Sequence, residues 1–582
     1  MLTQTSFRSF RWFCLALATI CVSQSVLSAQ DEKIPVEQIV PDKTVAILSV
    51  PDVEELKSRF GETVWSDFFD DPEMSFLREK ILEVFDESMK GAEQELGISP
   101  KKLLEIPTGE ISLAVSRISR GKIGVMLSIE YGEDATALEE LLAAAEKKFE
   151  ENKFDLEQRD IEGTTIYCYS PPTDAIANAE SVCWFQKDGF FVVTNQPAMS
   201  EAVLVRWDGK NNAVLSENGS FRYTMERCRT TGGQPAAYWY LDPIGLVQVG
   251  LEAGGSTTQQ AMIMAVLPQL GLDRLKAIGG TYDFATEKFE EVSRTFVYAE
   301  GPHRGILKML QAESRPIEPP KWVSAKAESF ISLNWDIKGA WSEVRTLVDS
   351  FQGAGALDVM LDRLADHPDS PGLHPQKDFI DLLSGTIQFE QTGLDSSALD
   401  KPESLIGGNI VVALGLNDAD RMTKVIETLQ MAEGSPLKRR AFQGATIYEI
   451  DVPNDVSVSL MVSRKTLFLS SDKGRIEQIA RGDDNTESLS DSAAFRRLTS
   501  EAPESASIWG LEQTGLQVER LLDQVKAVLL VLDPGNSSNL ENELEKLPSA
   551  EALKKYATDS FFYAIPDERG VYLESHTPRI RR

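Results

Sequence analysis

A chain of 582 residues is too long for one ordinary hydrophobic core, and its 42% hydrophobic and 26% charged residues are the make-up of a folded globular protein. The formal net charge of −31 repels nucleic acid and anionic lipid, which argues against a DNA- or RNA-binding role. The acids are dispersed along the chain, so most of them read as solvated surface.

Residues 1–29 read as an export signal. Arg8 and Arg11 form a positive start, residues 12–27 an apolar stretch, and Ala29 supplies a small residue before the cut. The apolar run is shorter than a spanning helix needs. Later apolar runs, 261–267 and 525–532, have the length of core helices, so no transmembrane segment is expected after cleavage. The expected address is periplasmic or extracellular. Cleavage removes Cys14 and Cys21 and leaves Cys168, Cys183 and Cys228, an odd number that allows at most one disulfide within the chain. Cys168 and Cys183 fall on successive predicted strands and can be bridged, though the second half of the chain has no cysteine.

Thr44–Val50 reads as a buried strand, with Asp52 as the N-cap of a following helix and Glu55 three residues on. A long amphipathic helix is predicted over 73–96, strands over 109–116 and 123–130, and a helix over 135–149. The second half repeats this order with strands over 385–390 and 409–416 and a helix over 419–429. Each half ends in a predicted hairpin, 280–284 with 292–299 and 560–565 with 570–575.

Between these points the chain says much of itself twice. I-E-G-T-T-I-Y-C-Y (161–169) returns as F-Q-G-A-T-I-Y-E-I (442–450), with Gly163 and Gly444 standing 281 residues apart. K-D-G-F-F-V-V-T-N (187–195) returns as R-K-T-L-F-L-S-S-D (464–472), L-S-E-N-G-S-F-R (215–222) as L-S-D-S-A-A-F-R (489–496), and A-A-Y-W-Y-L-D (236–242) as A-S-I-W-G-L-E (506–512). Four matches in one order imply a duplicated unit. The fold class expected is α+β, two tandem homologous repeats over 30–312 and 322–582, each an antiparallel sheet backed by helices. Residues 313–321 carry three prolines and read as a semi-rigid linker. The groove between the halves is the default place for a ligand.

Reactive residues are sparse. There are four histidines and no nucleophile elbow, phosphate loop, H-E-x-x-H helix or C-x-x-C pair. Asp366, His367, Asp369 and His374 contain metal-ligand chemistry, but their spacing matches no defined signature and reads as a solvated loop. Asp242 and Glu512, each closing a strand after a repeated tryptophan, are the best placed carboxylates for a hydrolase, yet both sit where a helix N-cap belongs. Trp239 and Trp509 read as core, and Cys228, flanked by Arg227 and Arg229, is a candidate reactive thiol with little support. No catalytic, cofactor-binding or metal-binding residue is assigned, and no cofactor is expected.

The pattern V-P-D-K-T-V-A-I-L-S-V-P-D-V-E-E-L, with D-D-P-E-M-S-F-L (70–77) and G-E-I-S-L-A-V (109–115) downstream, resembles a group of secreted bacterial proteins of unknown function, frequent in planctomycetes. The resemblance implies an exported protein and transfers no site. The function expected is that of a non-enzymatic binding or envelope-associated protein, its partner an unidentified protein or envelope ligand. The alternative is an extracytoplasmic hydrolase using acidic residues in the groove between the repeats.

Overall fold

The computed structural model describes residues 34–76, 78–79, 106–132, 135–172, 181–230, 233–253, 257–368, 370–392, 409–452, 456–482, 487–514 and 546–579. The expected export signal, most of the helix expected over 73–96 and the apolar run 525–532 lie outside the described residues.

Ten strands form in the first half: β1 (Thr44–Val50), β2 (Ile111–Ser119), β3 (Lys122–Glu130), β4 (Asp155–Ile161), β5 (Thr164–Ser170), β6 (Val182–Lys187), β7 (Phe190–Thr194), β8 (Ala237–Leu241), β9 (Leu275–Phe284) and β10 (Phe289–Ala299). Ten more follow: β11 (Ser329–Asn334), β12 (Leu383–Gln391), β13 (Ile410–Leu416), β14 (Leu437–Phe442), β15 (Ala445–Val452), β16 (Val456–Ser463), β17 (Thr466–Ser470), β18 (Ile508–Glu512), β19 (Ser560–Asp567) and β20 (Gly570–Pro578). All twenty belong to one antiparallel sheet. Its order is β4-β5-β6-β7-β3-β2-β1-β8-β9-β10 through the first half. It continues as β20-β19-β18-β11-β12-β13-β17-β16-β15-β14 through the second. The halves meet where β10 pairs with β20, from Phe289 opposite Pro578 to Tyr298 opposite Gly570.

Sequence alternation explains why these segments are strands. In β2 the residues Ser112, Ala114 and Ser116 are buried while Leu113 between them is 45% exposed, the period of a pleated ribbon with one face covered. The tight turns are equally local. Glu162 and Gly163 have φ of 51° and 73°, and Gln443 and Gly444 have 44° and 86°, so both hairpins carry two left-handed turn residues and match the right-handed twist of their strands.

The covered face of the first half packs Ile47, Ala114, Met126, Phe185, Phe221, Tyr238 and Phe296 into one core with residues of the helices Pro197–Leu204 and Gly219–Arg227. In the second half Phe330, Phe495, Trp509, Leu511 and Phe561 form the corresponding layer with the helix Ala493–Leu498. Cys168 and Cys183, directly opposite across β5 and β6, form a disulfide. The proline-rich stretch lies against the second half: Arg315–Pro316 pairs with Ser505–Ala506, and Glu313 N–H donates to Asn334 O at 2.7 Å.

One expectation needs correction. The run 261–267 was expected as a core helix. It contributes instead to the helix Thr257–Val266, whose Met262 is 65% exposed, because this helix lies outside the sheet layers. No helix among the described residues is long and apolar enough to cross a membrane.

Candidate functional site

A cavity of about 770 Å³ opens at the end of β1 and β8, and every residue lining it comes from the first half. The groove expected between the halves is therefore not where this cavity lies. One wall is apolar, with Phe221 and Met225 from the helix Gly219–Arg227 and Tyr238 from β8. The charged residues of the lining are Glu37, Asp52, Glu55 and Glu110, with Arg229 on the exposed side.

Glu110 organises the buried end. It precedes β2 in the same register as Ser112 and Ala114, so the pleat turns it inward. Three donors converge on its Oε1: Ser112 Oγ at 2.7 Å, Ser49 Oγ at 3.3 Å and Val36 N at 3.3 Å. Its Oε2 has no hydrogen-bond partner among the described residues, on a side chain that lines the cavity and is 7% exposed. Beside it, Tyr238 O–H donates to Glu37 Oε2 at 2.6 Å. Burial, reinforced by the nearby Glu37 charge, pushes the Glu110 carboxyl up to about 7. Burial and Glu37 likewise push the Tyr238 phenol up, so it stays a donor.

The second half also buries a glutamate, Glu390 in β12, but at a different place: it stands opposite Phe330 near the start of β11, whereas Glu110 lies beside Ser49 near the end of β1. Glu390 is 1% exposed and is held bidentately by Arg475, Nε to Oε2 and Nη2 to Oε1, both at 2.8 Å. Glu110 has no such cation among its hydrogen-bond partners.

The Glu110 shift has a thermodynamic consequence. Its folded pKa of about 7 exceeds the ordinary 4.5, so the folded state holds the proton more tightly. That contribution is fully present below about pH 4.5 and is lost as pH rises through 7, a swing of about 3 kcal/mol at about 1.4 kcal/mol per pKa unit. Glu110→Gln should therefore flatten the fall in stability between about pH 5 and pH 8, as read by chemical denaturation. An unchanged pH profile in the variant would contradict the burial of this carboxyl.

No family model, no curated protein and no solved structure matches this chain.

The residues singled out in the sequence fall elsewhere. Asp242 Oδ1 accepts from Gly245 N at 2.8 Å, the N-cap of the helix Pro243–Ala253. Glu512 is the exposed last residue of β18, and the helix expected to follow it begins outside the described residues. Neither lines the cavity. Asp52 is an N-cap, its Oδ1 accepting from Glu55 N at 2.9 Å.

Trp509 is 1% exposed and touches the rings of Phe330, Phe495 and Phe561, as expected of a core residue. Trp239 departs from that expectation: Ser49 and Ser332 are the inward, buried serines of β1 and β11, and Ser332 faces Trp509 whereas Ser49 faces Tyr238. Trp239 sits one residue out of register, and the two-residue pleat puts its partly exposed side chain on the other face.

Of the loop cluster, Asp369 lies outside the described residues. His374 Nδ1 accepts from Gln376 N and Lys377 N at 3.2 and 3.3 Å and caps the short helix Pro375–Asp378, while its Nε2 stands 3.4 Å from Asp362 Oδ1. Its ring nitrogens are therefore engaged in local structure. His367 lines a separate shallow pocket with Arg363 and Met360. Among the described residues no group of three or more His, Cys, Asp or Glu is arranged to hold a metal ion.

Cys228 is fully buried, its Sγ 3.6 Å from Gly279 O, and burial pushes the thiol up to about 12. A thiol in that state is a poor nucleophile. A thiol reagent such as DTNB should titrate nothing in the native protein and one thiol after denaturation without reductant; rapid native labelling would reverse this assignment.

Proposed function

We propose that the protein is an exported, non-enzymatic binding protein, of the periplasm or the extracellular space, and that the cavity beside Glu110 is its ligand site. The observation that carries this reading is the cavity itself: a space within the size range of small-ligand sites, with one apolar wall facing a set of carboxylates. No histidine lines the cavity to serve as a base, and its threonine hydroxyls are engaged elsewhere, Thr230 Oγ1 donating to Asp283 Oδ2 at 3.2 Å and Thr281 Oγ1 to Cys228 O at 2.8 Å. The Cys168–Cys183 disulfide supports an oxidising compartment, and so does the resemblance to secreted planctomycete-type proteins.

In this reading the chain is a tandem duplication, units 30–312 and 322–582 joined by 313–321. Support comes from the order of the ten strands, which runs identically outward from the β10–β20 joint in both directions, and from the matching left-handed turns at Gly163 and Gly444. The partner is an envelope or protein ligand, with nucleic acid disfavoured by the charge of −31.

The hydrolase alternative draws on one observation, the raised carboxyl of Glu110 near Glu37, which is the environment of a general acid. It would act inside the first half instead of between the halves. Two measurements decide. N-terminal sequencing of the exported protein should begin at Gln30, and retention of the leader in the cytoplasm would refute export. Glycan and peptide panels should give no turnover; turnover abolished by Glu110→Gln would establish the hydrolase instead.

A further inference from the structure

We propose that the cavity takes an organic amine, its ammonium group seated against Glu110 Oε2 and Glu37, and that Glu110 releases its proton to solvent as the amine binds. This rests on the reading of the cavity as the ligand site.

Four carboxylates line the space against one guanidinium, Arg229. Two of the four are already committed: Asp52 caps its helix and Glu55 is ion-paired with Arg59. Glu37 and Glu110 are left for a ligand.

The hydrogen bonds around Glu110 specify what that ligand supplies. Burial and the Glu37 charge keep the acid neutral against its three donors, and because all three reach Oε1 the proton belongs on Oε2, toward the cavity. A ligand cation placed there exchanges with that proton: the neutral acid and R–NH3+ give carboxylate, bound R–NH3+ and one H+. The groups facing Glu110 from each side agree with this exchange. They are Glu37 from the preceding segment, Ser49 from β1, Ser112 from β2 and Tyr238 from β8, with the Glu130 carboxylate of β3 accepting from Glu110 N at 2.9 Å. None of these brings a cation to the carboxyl. Phe221, Met225 and Tyr238 then offer an apolar wall to the carbon chain of the amine.

The test uses the full mature protein and three probes of one length: hexylamine, hexan-1-ol and hexanoate, by isothermal titration calorimetry. Hexylamine alone should bind, about tenfold more tightly at pH 8 than at pH 6, with proton release seen as a dependence of the heat on buffer ionisation enthalpy. Glu110→Gln should abolish binding and its pH dependence, and Glu37→Gln should weaken binding and move the pH dependence to lower pH, because the Glu37 charge helps to hold the Glu110 proton. Circular dichroism of each variant separates loss of binding from loss of fold. Hexan-1-ol or hexanoate binding in place of the amine would overturn the amine assignment and leave the binding-protein reading standing. Amine binding indifferent to Glu110→Gln, or no binding of any probe, would also overturn it.

Discussion

Replacing Arg294 with Met is expected to cost about 3–5 kcal/mol of stability, because it removes the one cation that two buried carboxylates share at the joint between the halves. Arg294 lies on β10 directly opposite Glu574 of β20. Its Nη1 is 3.3 Å from Asp283 Oδ2 and its Nε 3.3 Å from Glu574 Oε2. Asp283 is fully buried and also takes Arg59 Nη1 at 3.3 Å and Ala236 N at 3.2 Å. Burial opposes ionisation of Glu574, but hydrogen bonds from His576 and Tyr572 and the Arg294 charge outweigh it and hold its carboxyl below the usual range. Removing the one cation shared by both acids leaves Asp283 with the more exposed Arg59 and Glu574 with hydrogen bonds alone. Arg294→Lys should recover only part of the loss, since a single ammonium cannot span both carboxylates as the guanidinium does. Urea denaturation at neutral pH, with hydrogen exchange of the β10 and β20 amides, reads the effect. A loss below about 1 kcal/mol would mean that the network is solvated and of little consequence.

Trp509→Ala should cost a similar amount, about 3–5 kcal/mol, while Trp239→Ala should cost clearly less. Trp509 is enclosed by three aromatic rings with centroids 5.2, 5.9 and 6.2 Å away, so truncation leaves a void that the β-sheet backbone cannot collapse to fill. Trp239 already faces solvent in part. Equal losses in the two variants would place both side chains on one face and refute the register of β8 against β1.

These two tryptophans show where the sequence was legible and where it misled. Matching identical letters aligned W with W, but a strand has a period of two, and a slip of one residue moves a side chain from core to surface without disturbing the look of the alignment. Residues facing Ser49 and Ser332, Tyr238 and Trp509, are the ones that share a place in the layers. The hairpins at Gly163 and Gly444 were readable because a two-residue turn is encoded locally. Helix caps such as Asp52 and Asp242 were readable for the same reason. Pairing of β10 with β20 is set by no local signal, since the two strands are far apart in the chain and their partnership depends on the whole sheet. Glu110 left a trace that was passed over: an acid in G-E-I-S-L-A-V at the spacing of the inward residues, where a charge costs free energy unless it has a use.

The order of the sheet has one more consequence, for what happens at its borders. Its two outer borders are β4, D-L-E-Q-R-D-I, and β14, L-K-R-R-A-F, both dense in exposed charge, which discourages any further chain from adding on. The inner borders have no such guard: β10 runs for 11 residues with buried Phe289, Val292, Phe296 and Tyr298. Cut between the halves, each piece would carry one repellent border and one adhesive one, a template for any extended chain that met it. Sealing each adhesive border with the other, inside a single polypeptide, is how this molecule keeps a twenty-strand sheet finite.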